Sequence, residues 1–148
     1  MSAITWVCQL REALGIGITM GAGGDVILRA DESIHIAGEG GDTATTGIFA
    51  SSEGPGQGGN VRLTAPSIAI SDAGYVFAGA RGSGPGGSVT VSGRDLLVTG
   101  LGFIDVSSYD SGPAGSLAVD VTGSVTVAGS NGTSASSALG GGSSGSGA

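Results

Sequence analysis

The segment from Gly59 to Val91 reads GNVRLTAPSIAISDAGYVFAGARGSGPGGSVTV and predicts the architecture of the chain. It contains one complete repeat and the start of the next. The same strand start, a glycine followed by a polar and an aliphatic residue, occurs at Gly24-Asp25-Val26, Gly59-Asn60-Val61, Gly87-Ser88-Val89 and Gly115-Ser116-Leu117. The last three starts recur at a constant period of about 28 residues and the first gap is about 35 residues, both within the range typical of stacked repeats.

Each repeat contains three short runs in which apolar and polar residues alternate. In the repeat that starts at Gly59 they are Val61-Arg62-Leu63, Ile68-Ala69-Ile70 and Tyr75-Val76-Phe77-Ala78. Such alternation is typical of half-buried strands, and proline or turn residues separate the runs. Three strands and three corners in every period predict one coil of an all-β, right-handed parallel β-helix. We expect about four coils, in which Val61, Val89 and Leu117 lie directly above one another.

The chain divides into three segments by composition. Residues 21–129 carry the repeats, with coils starting near 24, 59, 87 and 115. Residues 1–20 are interpreted as an N-terminal cap or the remnant of a preceding coil, and the spacing over 2–14 favours a short capping helix. Residues 130–148 are a Gly/Ser-rich low-complexity tail, and a degenerate third strand is placed at Thr133 and Ala135. Most of the extra length of the first repeat is assigned to a corner loop over 37–47, of unassigned role, and one residue is assigned to the preceding turn over 29–33.

Composition excludes several classes of function. The 148 residues carry a net charge of -7, with five arginines and no lysine, which argues against nucleic acid as a partner. Cys8 is the only cysteine, so neither an internal disulfide nor a thiolate metal site is expected. No apolar run reaches the length of a membrane span. The first twenty residues lack a basic n-region and do not predict a signal peptide, so we expect either no export of this chain as it stands or a start further upstream.

The order of these motifs resembles the repeat region of filamentous haemagglutinin-type adhesins, the passengers of bacterial two-partner secretion. The resemblance covers residues 21–129 and is carried by Thr46-Gly47-Ile48-Phe49-Ala50, Gly58-Gly59-Asn60-Val61-Arg62-Leu63-Thr64, Ile68-Ala69-Ile70-Ser71-Asp72-Ala73-Gly74 and Gly84-Pro85-Gly86-Gly87-Ser88-Val89-Thr90-Val91. It implies a secreted, surface-displayed right-handed β-helix used in cell adhesion. It further implies export through a partner pore in the outer membrane.

Strand alternation also predicts a ligand or partner surface. If the aliphatic residues of the third strands point inward, four aromatic residues point outward on one face: Phe49, Tyr75, Phe77 and Phe103. One interpretation is an aromatic platform for a sugar or a protein on a host or neighbouring cell. The alternative is cross-strand stacking that stabilises the sheet.

The sequence does not predict an enzyme. Parallel β-helices that cleave polysaccharides need clustered carboxylates or a base on adjacent outward positions. Asp105 and Asp110 come nearest to this pattern, but Asp110 lies in a corner, and His35 is expected to be a lone surface histidine. We therefore expect no catalytic residue, no cofactor and no metal site. The second interpretation of the chain is a carbohydrate-binding or polysaccharide-processing β-helix protein.

Overall fold

The computed structural model describes residues 2–5, 23–38, 47–129 and 138–142. These residues form β-strands joined by turns and contain no helix. The strands are β1 (Ser2–Thr5), β2 (Val26–Arg29), β3 (Ser33–Ala37), β4 (Gly47–Phe49), β5 (Asn60–Thr64), β6 (Ser67–Ser71), β7 (Tyr75–Phe77), β8 (Ser88–Gly93), β9 (Asp95–Val98), β10 (Phe103–Asp105), β11 (Ser116–Val121), β12 (Val125–Val127) and β13 (Ala138–Gly140).

The strands form three sheets, and neighbouring strands within each sheet run parallel. Sheet one has the order β1-β2-β5-β8-β11, sheet two β3-β6-β9-β12 and sheet three β4-β7-β10-β13. From β2 onward, the chain visits sheets one, two and three in rotation, so neighbouring strands of a sheet come from successive repeats. The prediction of an all-β chain with parallel strands is confirmed.

The register of the sheets follows the sequence period. Val61 pairs with Val89, and Val89 pairs with Leu117, as the constant spacing of the repeats predicts. Strand pairing continues across the longer first repeat, where Val26 pairs with Val61. The insertion therefore lies outside the strands. Most of the predicted 37–47 loop lies outside the described residues.

The core lies between the three sheets and consists of columns of aliphatic side chains, one residue from each successive repeat. Buried and more accessible residues alternate along β3, β6 and β8. The third-strand residues predicted to point inward are all buried: Ile48, Ala50, Val76, Ala78, Ile104 and Val106. Burial of each large aliphatic side chain stabilises the folded state by about 1.5–3 kcal/mol.

The glycines at three of the four strand starts, Gly59, Gly87 and Gly115, have a steric cause. A Cβ atom on Gly59 would lie 2.1 Å from the carbonyl oxygen of Gly24, and one on Gly87 would lie 1.8 Å from that of Gly59. A Cβ on Gly115 would lie 1.9 Å from the oxygen of Gly87. None of these glycines has a positive φ, so the requirement is close approach of successive repeats rather than an unusual backbone conformation.

The corner between sheets two and three is a tight turn in the second and third repeats. Both central residues of each turn have a positive φ. In the second repeat φ is 52° at Asp72 and 62° at Ala73, and in the third repeat it is 55° at Gly100 and 68° at Leu101. This is the dihedral signature of a type I′ turn. The N–H of Ala73 donates to the carbonyl oxygen of Gly100 at 2.7 Å, so the two turns are stacked.

The same corner is longer in the fourth repeat, and this changes the interpretation of its third strand. The strand that pairs with β10 is β13, with Phe103 opposite Ala138. Residues 138–140, which composition assigned to a low-complexity tail, thus belong to sheet three. A run with one large aliphatic residue, Leu139, carries too little alternation to predict a strand. Thr133 and Ala135 lie outside the described residues.

The N-terminal helix prediction is wrong where the structure describes that segment. Residues 2–5 form β1, which pairs in parallel with β2. These residues extend sheet one by a further strand. Hydrophobic spacing over a few residues cannot distinguish a helix from a buried strand. Residues 6–20 lie outside the described residues.

Candidate functional site

The candidate surface lies on the outer side of sheet three. Its strands are three residues long, and their central residue points into the core. The flanking residues therefore point outward in two columns. One column contains Gly47, Tyr75 and Phe103, and the other contains Phe49, Phe77 and Asp105.

The structure brings all four predicted aromatic residues together. The ring of Tyr75 lies at the centre, stacked on Phe77 with centroids 5.7 Å apart. Phe49 and Phe103 meet the same ring edge to face at 5.6 Å and 6.3 Å. A fifth ring, that of Tyr109, lies 5.9 Å from Phe77. We call these five residues the aromatic cluster. Its separations fall within the favourable range for aromatic pairs.

Phe77 belongs to the outer side of the sheet, yet its side chain is 0% exposed. Tyr109 packs against it, and the guanidinium carbon of Arg81 lies 5.4 Å from its ring centroid, a cation–π contact. A Cβ on Gly79 would come within 2.3 Å of the ring, so glycine there leaves room for it. Phe77 therefore packs beneath the more exposed rings of Tyr75 and Tyr109 and is not accessible to a ligand.

Tyr109 is the accessible member that sequence alternation missed. It is 53% exposed, whereas Phe49, Tyr75 and Phe103 are half-buried. Tyr109 lies in the corner after the third strand, where alternation does not apply. Its only sequence signal is its position one repeat period after Arg81, which also contacts Phe77. Arg81 and Tyr109 occupy equivalent places because Ala80 and Ser108, which precede them, are bridged in parallel.

The carboxylate of Asp105 holds the cluster in position. Its Oδ2 atom accepts hydrogen bonds from the hydroxyl groups of Tyr75 at 2.8 Å and Tyr109 at 2.7 Å. Its Oδ1 atom accepts bonds from the backbone N–H of Ser107 at 2.8 Å and from the Ser107 hydroxyl. Both oxygens are thus occupied by donors of the chain itself, which assigns Asp105 a structural role in this state.

Both tyrosines are held in the protonated form. Burial raises the pKa of Tyr75 far above its usual value, and the hydrogen bond to the negative Asp105 raises it further. Burial and Asp105 also raise the pKa of Tyr109, although the nearby charge of Arg81 opposes the shift. At neutral pH the site therefore contains two phenol donors and one shared carboxylate acceptor.

A second candidate surface is a shallow groove of about 390 Å³ on the outer side of sheet one. It crosses three strands and is lined by Asp25, Val26, Ile27, Asn60, Val61, Arg62, Ser88 and Thr90. Along one side, the Asn60 amide donates to Asp25 at 2.8 Å, and the Ser88 hydroxyl donates to Asn60 at 2.6 Å. Arg62 is exposed in the groove and makes no ion pair with the described residues.

His35 lies on the outer side of sheet two in a short hydrogen-bonded chain. Its Nε2 atom is 2.8 Å from the hydroxyl of Ser71, which donates to the carboxylate of Asp72 at 3.0 Å. In a nucleophilic triad, histidine stands between serine and the carboxylate. Here serine stands in the middle, so the arrangement does not prepare Ser71 for attack.

Comparison of the chain with protein-family models, with curated proteins and with solved structures found no match. Within the part of the chain that the structure describes, no cluster of three or more His, Cys, Asp or Glu residues is arranged to hold a metal ion. That part also has no helix long and apolar enough to cross a membrane.

Proposed function

We propose that this chain is a right-handed parallel β-helix segment with a structural and adhesive role at a bacterial cell surface. Rotation of the chain through three parallel sheets and the constant register between repeats support the β-helix. The right hand is the one strongly preferred for connections between parallel strands of one sheet. The resemblance to filamentous haemagglutinin-type repeats supports secretion through an outer-membrane pore and display outside the cell.

The aromatic cluster is the proposed contact surface. The observation that carries this proposal is the half-exposed ring of Tyr109, held by Asp105 and packed on the buried ring of Phe77. Aromatic side chains fixed in this way lose little conformational freedom on binding and offer an apolar face beside a polar group. The proposed partner is a glycan or protein on a host or neighbouring cell.

The test compares binding of variants to intact cells and to immobilised surface glycans. Tyr109→Ala and Phe103→Ala are expected to reduce binding at least tenfold, because they remove accessible rings without opening the core between the sheets. Leu97→Ala is the matched control, since Leu97 is 42% exposed on the outer side of sheet two. Equal binding by all three variants, with a lower thermal stability for Tyr109→Ala and Phe103→Ala, would leave the cluster a purely structural feature that stacks across the sheet.

The groove on sheet one favours the second candidate function, carbohydrate binding. Polar side chains from three successive strands line it, and Arg62 supplies an exposed cation. Arginine binds carboxylates in a bidentate manner, so an acidic linear glycan suits this groove better than a neutral one. Arg62→Ala is expected to weaken binding of such a glycan while cell binding through Tyr109 is retained. Release of reducing ends by the unmodified chain would instead indicate polysaccharide processing.

A further inference from the structure

The chain contains two tyrosines, and the fold brings their hydroxyl groups to a single atom. Tyr75 and Tyr109 both donate to the Oδ2 atom of Asp105, at 2.8 Å and 2.7 Å. The two phenol oxygens are therefore no further apart than the sum of these two distances, although the tyrosines belong to successive repeats. Groups held together in this way react with each other far faster than groups that must meet by diffusion.

The reaction that joins two phenols is oxidative coupling. Loss of one electron and one proton converts a phenol into a phenoxyl radical, whose unpaired electron is shared with the ring carbons ortho to the oxygen. Two such radicals form a carbon–carbon bond between ortho carbons, and the hydrogen on each of these carbons then moves to the phenoxyl oxygen, which restores both phenols. Each ortho carbon is next to the carbon that carries the hydroxyl, so convergence of the hydroxyls on Asp105 also brings the reacting carbons towards each other.

Asp105 supplies the proton acceptor that this oxidation needs. A carboxylate within hydrogen-bond distance of a phenol takes up its proton as the electron leaves, since proton transfer needs this separation. The other oxygen of the carboxylate, Oδ1, accepts a hydrogen bond from the backbone N–H of Ser107 at 2.8 Å. This bond holds the carboxylate group in place beside both phenols.

The two rings differ in exposure, and this difference gives them different roles. Tyr109 is 53% exposed in its corner, so an oxidant in solution reaches it first and its ring has space to turn towards its partner. Tyr75 is half-buried and contacts three phenylalanine rings, those of Phe49, Phe77 and Phe103. These rings shield Tyr75 from the phenols of other chains. Tyr75 reduces the first Tyr109 radical, and a second oxidation of Tyr109 then places a radical on each ring.

We propose that Tyr75 and Tyr109 form a site of oxidative modification, at which a peroxidase with hydrogen peroxide joins the two rings of one chain into dityrosine. Hydrogen peroxide takes up two electrons and two protons from the two phenols and leaves as two molecules of water. The product is a covalent link between successive repeats, which stabilises the fold by restricting the unfolded chain, as a disulfide does. This modification does not depend on the adhesive role.

The experiment treats the full chain at low concentration with a peroxidase and hydrogen peroxide. We expect dityrosine fluorescence and, in the intact mass, a monomer that has lost two hydrogen atoms. Cleavage after arginine locates the link, because Arg81 and Arg94 lie between the two tyrosines in sequence. The linked chain should release one product that joins residues 63–81 to residues 95–148, whereas the untreated chain releases them separately.

Two variants test the assigned roles. Tyr75→Phe removes the internal partner, so any dityrosine that still forms through Tyr109 must join two chains. Asp105→Asn keeps both phenols but removes the carboxylate, and it is expected to slow formation of the internal link at least tenfold with an unchanged circular dichroism spectrum. The proposal is wrong if the treated chain forms only linked dimers, if other residues are oxidised while both tyrosines stay unlinked, or if folded Asp105→Asn forms the internal link at the original rate.

Discussion

Replacement of Gly87 by alanine tests the steric basis of the repeat. The new Cβ would lie 1.8 Å from the carbonyl oxygen of Gly59, whereas ordinary contact begins at 3.4 Å. The backbones must separate by about 1.6 Å to restore ordinary van der Waals contact. That movement opposes the hydrogen bond from the Ser88 N–H to the same oxygen, which measures 3.2 Å. Overpacking costs about 1–3 kcal/mol and a lost hydrogen bond about 1 kcal/mol, so we expect Gly87→Ala to lower the free energy of unfolding by about 2–4 kcal/mol.

Gly24→Ala is the matched control for this experiment. Gly24 occupies the same position in the first repeat, but a Cβ there would meet nothing within 4 Å. Both substitutions restrict the unfolded chain in the same way, so the difference between them reports only the folded state. Urea denaturation followed by circular dichroism gives both free energies of unfolding. Equal values for the two variants would refute the close-approach explanation of the glycine period.

Two further predictions concern the core and the aromatic cluster. Val98→Ala should lower the free energy of unfolding by about 2–3 kcal/mol, because it leaves a cavity in the core. Val127→Ala, at the paired position of the exposed strand β12, should lower it by less than about 1 kcal/mol. Similar losses for the two variants in urea denaturation would contradict this difference in burial. Tyr75 and Tyr109 are the only tyrosines of the chain, and both have a raised pKa, so the folded state retains their protons where the unfolded state releases them. Their stabilising effect is complete below the usual tyrosine pKa of about 10 and is lost as the pH rises above it, so phenolate absorbance should appear together with unfolding. Phenolate that appears in the folded chain near the usual pKa would show that burial and the hydrogen bonds to Asp105 do not keep these phenols protonated.

Much of the strand arrangement could be predicted from local sequence pattern. Alternation has a period of two because successive side chains of a strand point to opposite faces, and it assigned Ile48, Val76 and Ile104 to the core. The glycine period placed Val61, Val89 and Leu117 in one column, since the close approach of each of these three repeats to the preceding one requires glycine at that point. Adjacency of Phe49, Tyr75, Phe77 and Phe103 followed from the same two regularities.

Local sequence pattern therefore predicts the spacing of the repeats, the inward face of each strand in the regular repeats and the column to which a residue belongs. The side chains that cover each column depend instead on contacts between residues that this pattern does not relate. Phe77 is buried from outside because Arg81 and Tyr109 reach back from corners that have no alternation, and Asp105 fixes Tyr109 through a contact four residues away that no strand pattern encodes. Similarly, Val91 and Val119 look alike in sequence, but among the described residues only Val91 is covered by a strand of the following repeat. Burial depends on which other atoms occupy the adjacent space, and the alternation of a single strand contains no information about them.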